Sequence, residues 1–278
     1  MKSRNSQLIW VAVVLGISGC GAATLVWSQS ATPSDPAVAQ YRAMFGDDNP
    51  AELWITRGKN LWNQVRGPKH TSLAKSCDLG LGPGVVKGAY AELPRYFADT
   101  RKVQDLDSRL LTCMVSGQGL DEAKLLKHRF GDGDDKSDIE ALASYVSDAS
   151  KGMPLNLPLK HPEEKHAYAM GKAIFFYRGG THDFSCATCH SEQGKRIRLQ
   201  ELPDLATANA TARSTYTTWP AYLVSQGEVR TMEWRLGSCV RQQRLPELKY
   251  GSEAAIDLTM FLAKNAEGGK FAAPGLKR

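Results

Sequence analysis

Residues 184–190, FSCATCH, decide the fold. Cys186 and Cys189 are separated by two residues, and His190 follows directly, which is the C-x-x-C-H pattern of c-type haem attachment. The two thiols add to the haem vinyl groups, and the adjacent imidazole reaches the iron. A zinc knuckle would need a second Cys/His pair at close spacing, and a redox C-x-x-C would need a βαβ pattern. Neither occurs nearby, so the sequence predicts one covalently attached haem c with His190 as an axial ligand.

Helical patterns stand on both sides of this motif. Residues 161–180 place apolar side chains at helical spacing, and residues 252–269 carry an apolar face between a Ser cap and a Gly stop. A helix, a haem-binding loop and a second helix are the plan of small c-type cytochromes. The predicted fold is therefore mostly α.

An internal repeat extends this plan to the rest of the chain. A shift of 126 residues aligns six identical residues without a gap: Pro94, Tyr96, Val103, Arg109, Leu110 and Cys113 with Pro220, Tyr222, Val229, Arg235, Leu236 and Cys239. Upstream, RGKNLW (57–62) is similar to MGKAIF (170–175). We expect two tandem cytochrome c-like domains, residues 31–155 and 156–278, of which the first has no haem.

The first copy lacks a complete haem motif. Cys77 matches Cys186, but Gly80 and Leu81 stand where the second cysteine and the histidine would be. Because the repeat pairs Cys113 with Cys239, Cys77 and Cys113 are expected to face the same space. The sequence predicts a disulfide between them; two buried free thiols are the alternative.

Three residues are candidates for the second axial ligand: Met232, Met260 and Cys239, since His182 is too close to the motif. The repeat pairs Met232 with Leu106 and Met260 with Ser144, so packing explains both methionines. Cysteine stands at both copies of the third position, which favours Cys239.

Arginines surround Cys239 in the sequence. A thiolate ligand needs a thiol that ionises below its ordinary pKa of about 8.5, and nearby guanidinium groups favour ionisation. Arg235 lies one helical turn before Cys239 and is expected to project into the same pocket. Arg230, Arg241 and Arg244 either do the same or are solvated.

The N-terminus reads as an export signal. Lys2 and Arg4 precede an apolar run over residues 8–27, and a small polar stretch follows, so residues 1–30 are predicted to direct export to the periplasm. An uncleaved membrane anchor and lipid attachment at Cys20 are alternatives. The net charge of +6 is modest and no dense basic run occurs, so nucleic-acid binding is not expected.

The chain resembles the SoxA family, the catalytic subunits of the SoxAX cytochromes of bacterial thiosulfate oxidation. The resemblance rests on residues 48–54, 77–114, 184–205 and 219–244 together with the terminal helix. It implies the single-haem type, since Gly80 and Leu81 break the first motif. It also implies His190 and Cys239 as haem ligands, a persulfide on Cys239, and substrate binding by Arg235.

The implied reaction is the oxidative coupling of thiosulfate to a cysteine of a SoxYZ-like carrier protein, with electrons passing to haem and to a SoxX-like cytochrome subunit. This is L-cysteine S-thiosulfotransferase activity with Cys239 as the catalytic residue. Two other functions fit the residues: a plain electron-transfer cytochrome with His/Cys ligation, and a haem-based sensor with a labile distal cysteine.

Overall fold

The computed structural model describes residues 49–197 and 200–277. The predicted export signal, residues 1–30, and Cys20 lie outside these described residues. In the part of the chain that is described, no helix is long and apolar enough to cross a membrane.

The first repeat is built from short helices around one hairpin. Its helices are α1 (Glu52–Asn63), α2 (Leu73–Ser76), α3 (Leu106–Thr112), α4 (Glu122–Lys127) and α5 (Asp138–Asp148). A 3₁₀ turn spans Ala89–Glu92, and a π turn, Cys113–Gly117, extends α3. The hairpin pairs β1 (Arg95–Phe97) antiparallel with β2 (Lys102–Gln104).

The second repeat shares the long first and last helices and the hairpin followed by a helix, and it adds a small hairpin, a helix and a final strand. Its helices are α6 (Pro162–Phe176), α7 (Cys186–His190), α8 (Ala210–Tyr216), α9 (Met232–Gln242) and α10 (Glu253–Asn265). A two-residue hairpin pairs β3 (Arg196–Ile197) with β4 (Gln200–Glu201). The main hairpin pairs β5 (Ala221–Leu223) with β6 (Glu228–Arg230), and β7 (Gly275–Lys277) joins β5 in parallel.

The shift of 126 residues holds in three dimensions. Strands β1 and β2 fall on β5 and β6 residue for residue, and α3 and α9 both begin at the equivalent position. Each of these helices has a side-chain N-cap, Asp105 in the first copy and Thr231 in the second. The predicted fold, mostly α with two tandem cytochrome c-like domains, is confirmed.

In each repeat the first long helix packs across the last helix, and a glycine lies at the point of contact. A Cβ added to Gly58 on α1 would lie 2.0 Å from the carbonyl oxygen of Ala141 on α5. A Cβ added to Gly171 on α6 would lie 1.9 Å from the carbonyl oxygen of Asp257 on α10. Only glycine allows the two backbones to approach this closely, which explains the similarity of RGKNLW and MGKAIF.

Ion pairs and a stacked pair of rings join the two repeats at their boundary. The three residues of β6 are all buried, and Arg230 on that strand forms an ion pair with Glu140 of α5, with Nη1 3.1 Å from Oε1. Lys136 pairs with Glu228 across the same boundary. At the other end the rings of Tyr96 and His161 stack with centroids 3.6 Å apart. Charged side chains of each repeat therefore depend on the other for their partners.

Candidate functional site

Helix α7 places both cysteines of the motif on one turn. Ser185 caps the helix: its hydroxyl accepts from the backbone N–H of Thr188 at 3.1 Å, and the Thr188 hydroxyl accepts from the N–H of Ser185 at 3.0 Å. Residues three apart lie on the same helix face, so Cys186 and Cys189 present their thiols together. Both are half-buried and free of disulfides.

His190 is held in one orientation by a residue that sequence reasoning missed. Its Nδ1 donates to the carbonyl oxygen of Pro203 at 2.9 Å, which leaves Nε2 unprotonated and available to a metal. Burial lowers the pKa of His190, so the imidazole is neutral, as a ligand must be. The only sequence signal for this contact was Pro203 itself, thirteen residues after the motif.

Cys239 is brought to the motif by α9. The thiols of Cys186 and Cys239 are close enough to interact electrostatically, and Cys239 also interacts with Cys189. Burial, followed by the charge on Cys239, raises the pKa of Cys186 to about 12. Two thiols on one helix turn, an imidazole with a free Nε2 and a third thiol beside them form a donor set that fits a covalently attached haem.

The Arg235 guanidinium favours the Cys239 thiolate, as expected from the sequence, but burial has the larger effect. Burial raises the pKa of Cys239, and the Arg235 guanidinium opposes this without reversing it. The protein alone therefore favours the neutral thiol. Bound iron deprotonates a coordinating thiol, so a haem at this site would supply the missing charge.

Arg235 is exposed and lies one turn before Cys239 on α9. Its charge acts on both Cys239 and His190. Within the described residues its guanidinium makes no side-chain hydrogen bond or ion pair, which leaves its donors open to an anion.

Arg109 is the repeat counterpart of Arg235 and behaves differently. Its guanidinium binds both carboxylate oxygens of Asp99 at 3.0 and 2.8 Å, donates to the carbonyl oxygen of Asp78 at 2.6 Å and lies 3.9 Å from the Phe97 ring centre. The same residue type is therefore a structural anchor in the first copy and an unpartnered cation in the second.

Among the described residues Arg235 is the arginine whose charge acts on Cys239, and the other three candidates have different surroundings. Arg230 is buried against Glu140 and donates to Gln226 Oε1 at 2.8 Å. Arg241 is exposed and its Nη1 lies beside Gly237, 3.4 Å from the position that a Cβ on this glycine would occupy. Gly237 is two residues from Cys239 and therefore about 200° around the helix from it. Arg244 is exposed in the turn after α9.

The two methionines weighed as ligands belong to the core. Met260 is fully buried on α10, and Met232 is buried at the first turn of α9, where it lines the boundary between the repeats. His182 is exposed, with its ring 5.6 Å from that of Phe184.

In the first repeat a disulfide joins Cys77 and Cys113, both buried. The segment that replaces the rest of the motif is a tight turn, in which the Asp78 carboxylate accepts from the backbone N–H groups of Gly80 at 2.6 Å and Gly82 at 2.9 Å. Within residues 49–197 and 200–277, no group of three or more His, Cys, Asp or Glu residues is arranged to hold a metal ion.

Comparison with known proteins gives consistent matches. The family model "SoxA/TsdA, cytochrome c domain" matches residues 57–155 and 170–271. The L-cysteine S-thiosulfotransferase subunit SoxA of Hydrogenophilus thermoluteolus is 48% identical over 87% of this chain and 88% of that protein. A SoxA subunit of Hydrogenobacter thermophilus is 31% identical over 98% of this chain and 99% of that protein. The crystal structure of SoxXA from P. pantotrophus matches with a TM-score of 0.69 and 25% identity, covering 86% of this chain and 84% of the matched chain.

Proposed function

The chain belongs to the SoxA/TsdA cytochrome c family, among the SoxA subunits of L-cysteine S-thiosulfotransferase, and we propose that it couples thiosulfate oxidatively to a cysteine thiol of a carrier protein. One observation carries the proposal: the Cys239 thiol lies close enough to Cys186 and Cys189 to interact with them electrostatically, while Arg235, one turn earlier, keeps its donors unpartnered. A reactive sulfur beside a guanidinium group without a protein partner suits the binding and reaction of a sulfur-containing dianion.

The reaction joins two sulfur atoms. The outer sulfur of thiosulfate forms an S–S bond with the carrier cysteine, whose thiol releases one proton, and two electrons leave. Arg235 binds the sulfonate end by charge-assisted hydrogen bonds and so orients the outer sulfur towards Cys239. Cys239, as the thiolate or as its persulfide, is the sulfur centre at which the two substrates meet.

A single haem c is proposed for this chain. Cys186 and Cys189 would hold it through thioether bonds, and His190 and Cys239 would bind its iron. A haem at this site would supply one-electron acceptance. The Cys77–Cys113 disulfide and the turn at Gly80 leave the first repeat without the groups that attach a second haem.

The proposed setting is the periplasm, reached through the signal in residues 1–30. There the partners are a SoxX-like cytochrome subunit, which accepts the electrons, and a SoxYZ-like carrier, which supplies the cysteine. The likeness to a SoxXA complex and the names of the relatives support these partners.

Arg235→Met tests the proposal, with Arg241→Met as the matched control on the same helix. Loss of one preorganised donor at the reacting anion is expected to lower kcat/KM for thiosulfate about 10²–10³-fold. Arg241 faces away from Cys239, so its replacement is expected to leave kcat/KM within about threefold. Turnover is followed with thiosulfate, the carrier protein and an oxidised cytochrome as electron acceptor. Equal losses in the two variants would show that Arg235 has no special role.

A further inference from the structure

A buried amide at the end of α10 holds the loop that orients His190. Asn265 is the last residue of α10 and is 6% exposed, and its Nδ2 donates to the carbonyl oxygen of Leu205 at 2.9 Å. The two partners are 60 residues apart in the sequence. This hydrogen bond therefore fastens the loop that follows β4 to the helix that packs across α6.

The loop that Asn265 holds contacts His190 twice. The carbonyl oxygen of Pro203 accepts from Nδ1 of the imidazole at 2.9 Å, and the backbone N–H of Leu205 donates to the His190 carbonyl oxygen at 2.8 Å. Pro203 and Leu205 are two residues apart, so a displacement of one displaces the other. A change at Leu205 therefore reaches the imidazole through Pro203 as well as through the main chain.

The other side-chain contacts of this loop are divided among several partners. The carbonyl oxygen of Asp204 accepts from Nδ2 of Asn209 and from the hydroxyl of Thr211, both at 3.2 Å. Asn209 Nδ2 also donates to Thr207, and the Thr211 hydroxyl lies closer to Asn209 Oδ1, at 2.7 Å. Within the described residues, the side-chain amide of Asn265 donates to the loop alone. Asn265 is therefore the dedicated anchor of this loop.

The first repeat shows that the helix crossing itself does not need this amide. The glycine of α1 meets Ala141 on α5, and the glycine of α6 meets Asp257 on α10, so equivalent positions of the two last helices differ by 116 residues. Under this shift Asn265 corresponds to Ala149. The repeat with a complete C-x-x-C-H motif therefore has a donor at this position, and the repeat without the motif has none.

We propose that Asn265 is a positioning residue for His190, the proposed axial ligand. By fixing Leu205 it keeps the Pro203 carbonyl oxygen where the imidazole can donate to it. A well-directed hydrogen bond from Nδ1 makes an imidazole a more basic ligand. This inference rests on the proposed haem attachment at the C-x-x-C-H helix, and it is independent of the proposed sulfur chemistry.

Asn265→Leu tests the proposal in the holoprotein, with Thr259→Val as the matched control on the same helix. Leucine keeps the branched shape of asparagine without a donor, and valine replaces threonine in the same way. Thr259 is 2% exposed and its hydroxyl donates to the Ala255 carbonyl oxygen at 2.8 Å, so the control also removes one buried hydrogen bond of α10. Asn265→Ala is a second variant, because Ala149 shows that alanine is compatible with the crossing.

The reduction potential is the first readout. A less basic imidazole stabilises oxidised iron less, so both Asn265 variants should have a higher potential than wild type. Thr259→Val should keep the wild-type potential, because its lost hydrogen bond lies within the helix. A redox titration followed by haem absorbance measures all four proteins. Unchanged potentials in the Asn265 variants, or an equal shift in Thr259→Val, would overturn the proposal.

Hydrogen–deuterium exchange gives a second readout that does not depend on the iron. The peptide that contains Leu205 carries the N–H that donates to His190. Its exchange should be about fivefold faster in the Asn265 variants than in wild type, as expected for the loss of one buried hydrogen bond, and unchanged in Thr259→Val. Equal exchange in wild type and Asn265→Leu would contradict the anchoring role of Asn265.

The same measurements separate this inference from the proposed function. Wild-type protein without haem would refute the proposed haem attachment, and the positioning role would fail with it. Wild-type protein that binds haem and whose Asn265 variants match it in potential and exchange would refute the positioning role alone.

Discussion

At the scale of single residues, Cys239 experiences two opposing influences. Burial disfavours its thiolate, and the nearby guanidinium of Arg235 favours it, with burial the larger effect. The protein residues around Cys239 therefore do not by themselves keep its thiol ionised. The arrangement suits a sulfur whose charge depends on what binds beside it, a metal on one side and an anion held by Arg235 on the other.

Cys239→Met separates the roles of ligand and sulfur centre. A methionine thioether also binds haem iron, so the variant is expected to keep its haem and to exchange electrons at a raised reduction potential. It has no thiol, so coupling of thiosulfate to the carrier should fall to the rate without protein. Redox titration and an assay of the modified carrier measure the two properties. Continued coupling by Cys239→Met would show that Cys239 is not the sulfur centre, and absence of coupling in wild type as well would favour the plain electron-transfer alternative.

The repeat predicted where such residues lie but not what surrounds them. Arg109 and Arg235 are equivalent in sequence, yet Arg109 is tied to Asp99 and Phe97 and Arg235 is unpartnered. Asp99 lies on the connection between β1 and β2, and the matching connection of the second copy, residues 224–227, contains no acid. Likewise the Pro203 carbonyl that orients His190 belongs to a loop without periodicity, so pattern analysis could not find it.

At the scale of elements, the repeat marked the two glycines at the helix crossings, but the crossings themselves were not predicted from the sequence. The similarity of RGKNLW and MGKAIF marks Gly58 and Gly171, and both lie at backbone contacts closer than any side chain permits. The short hairpins were not predicted, because strands of three residues are too short for an alternating pattern. Full burial of β6 also removes alternation, since both of its faces lie within the protein.

Gly171→Ala tests the crossing of α6 and α10. The added methyl group would overlap the carbonyl group of Asp257, so the helices must separate, at a cost of about 1–3 kcal/mol in the free energy of unfolding. Gly237→Ala on α9 is the control, because its methyl group meets only the end of the flexible Arg241 side chain. That variant should be stabilised by about 0.5–1 kcal/mol through helix propensity. Denaturant unfolding monitored by circular dichroism measures both, and equal stabilities would contradict the crossing argument.

At the scale of the whole molecule, the two repeats have different roles: the second carries the candidate site, and the first supports it. The second keeps the haem motif and the unpartnered arginine, and the first supplies Glu140 as the ion-pair partner of Arg230. Burial raises the pKa of Glu140 to about 7 despite the Arg230 charge, so this boundary contains a group sensitive to pH. The first repeat thus supports the strand and the helix on which the site is built.

The Cys77–Cys113 disulfide is expected to stabilise the first repeat in the role that haem attachment plays in the second. It closes a loop with a sequence separation of 36 residues, for which chain entropy predicts about 3–4 kcal/mol. Cys77→Ala/Cys113→Ala should therefore lower the free energy of unfolding by about that amount. Haem absorbance should not change, because every proposed haem-binding residue lies in the second repeat. A thiol reductant serves as the control: it should destabilise wild type equally and leave the double variant unaffected, since thioether bonds to haem are not reduced. A double variant that lost its haem would show instead that the second repeat cannot hold its site without the disulfide.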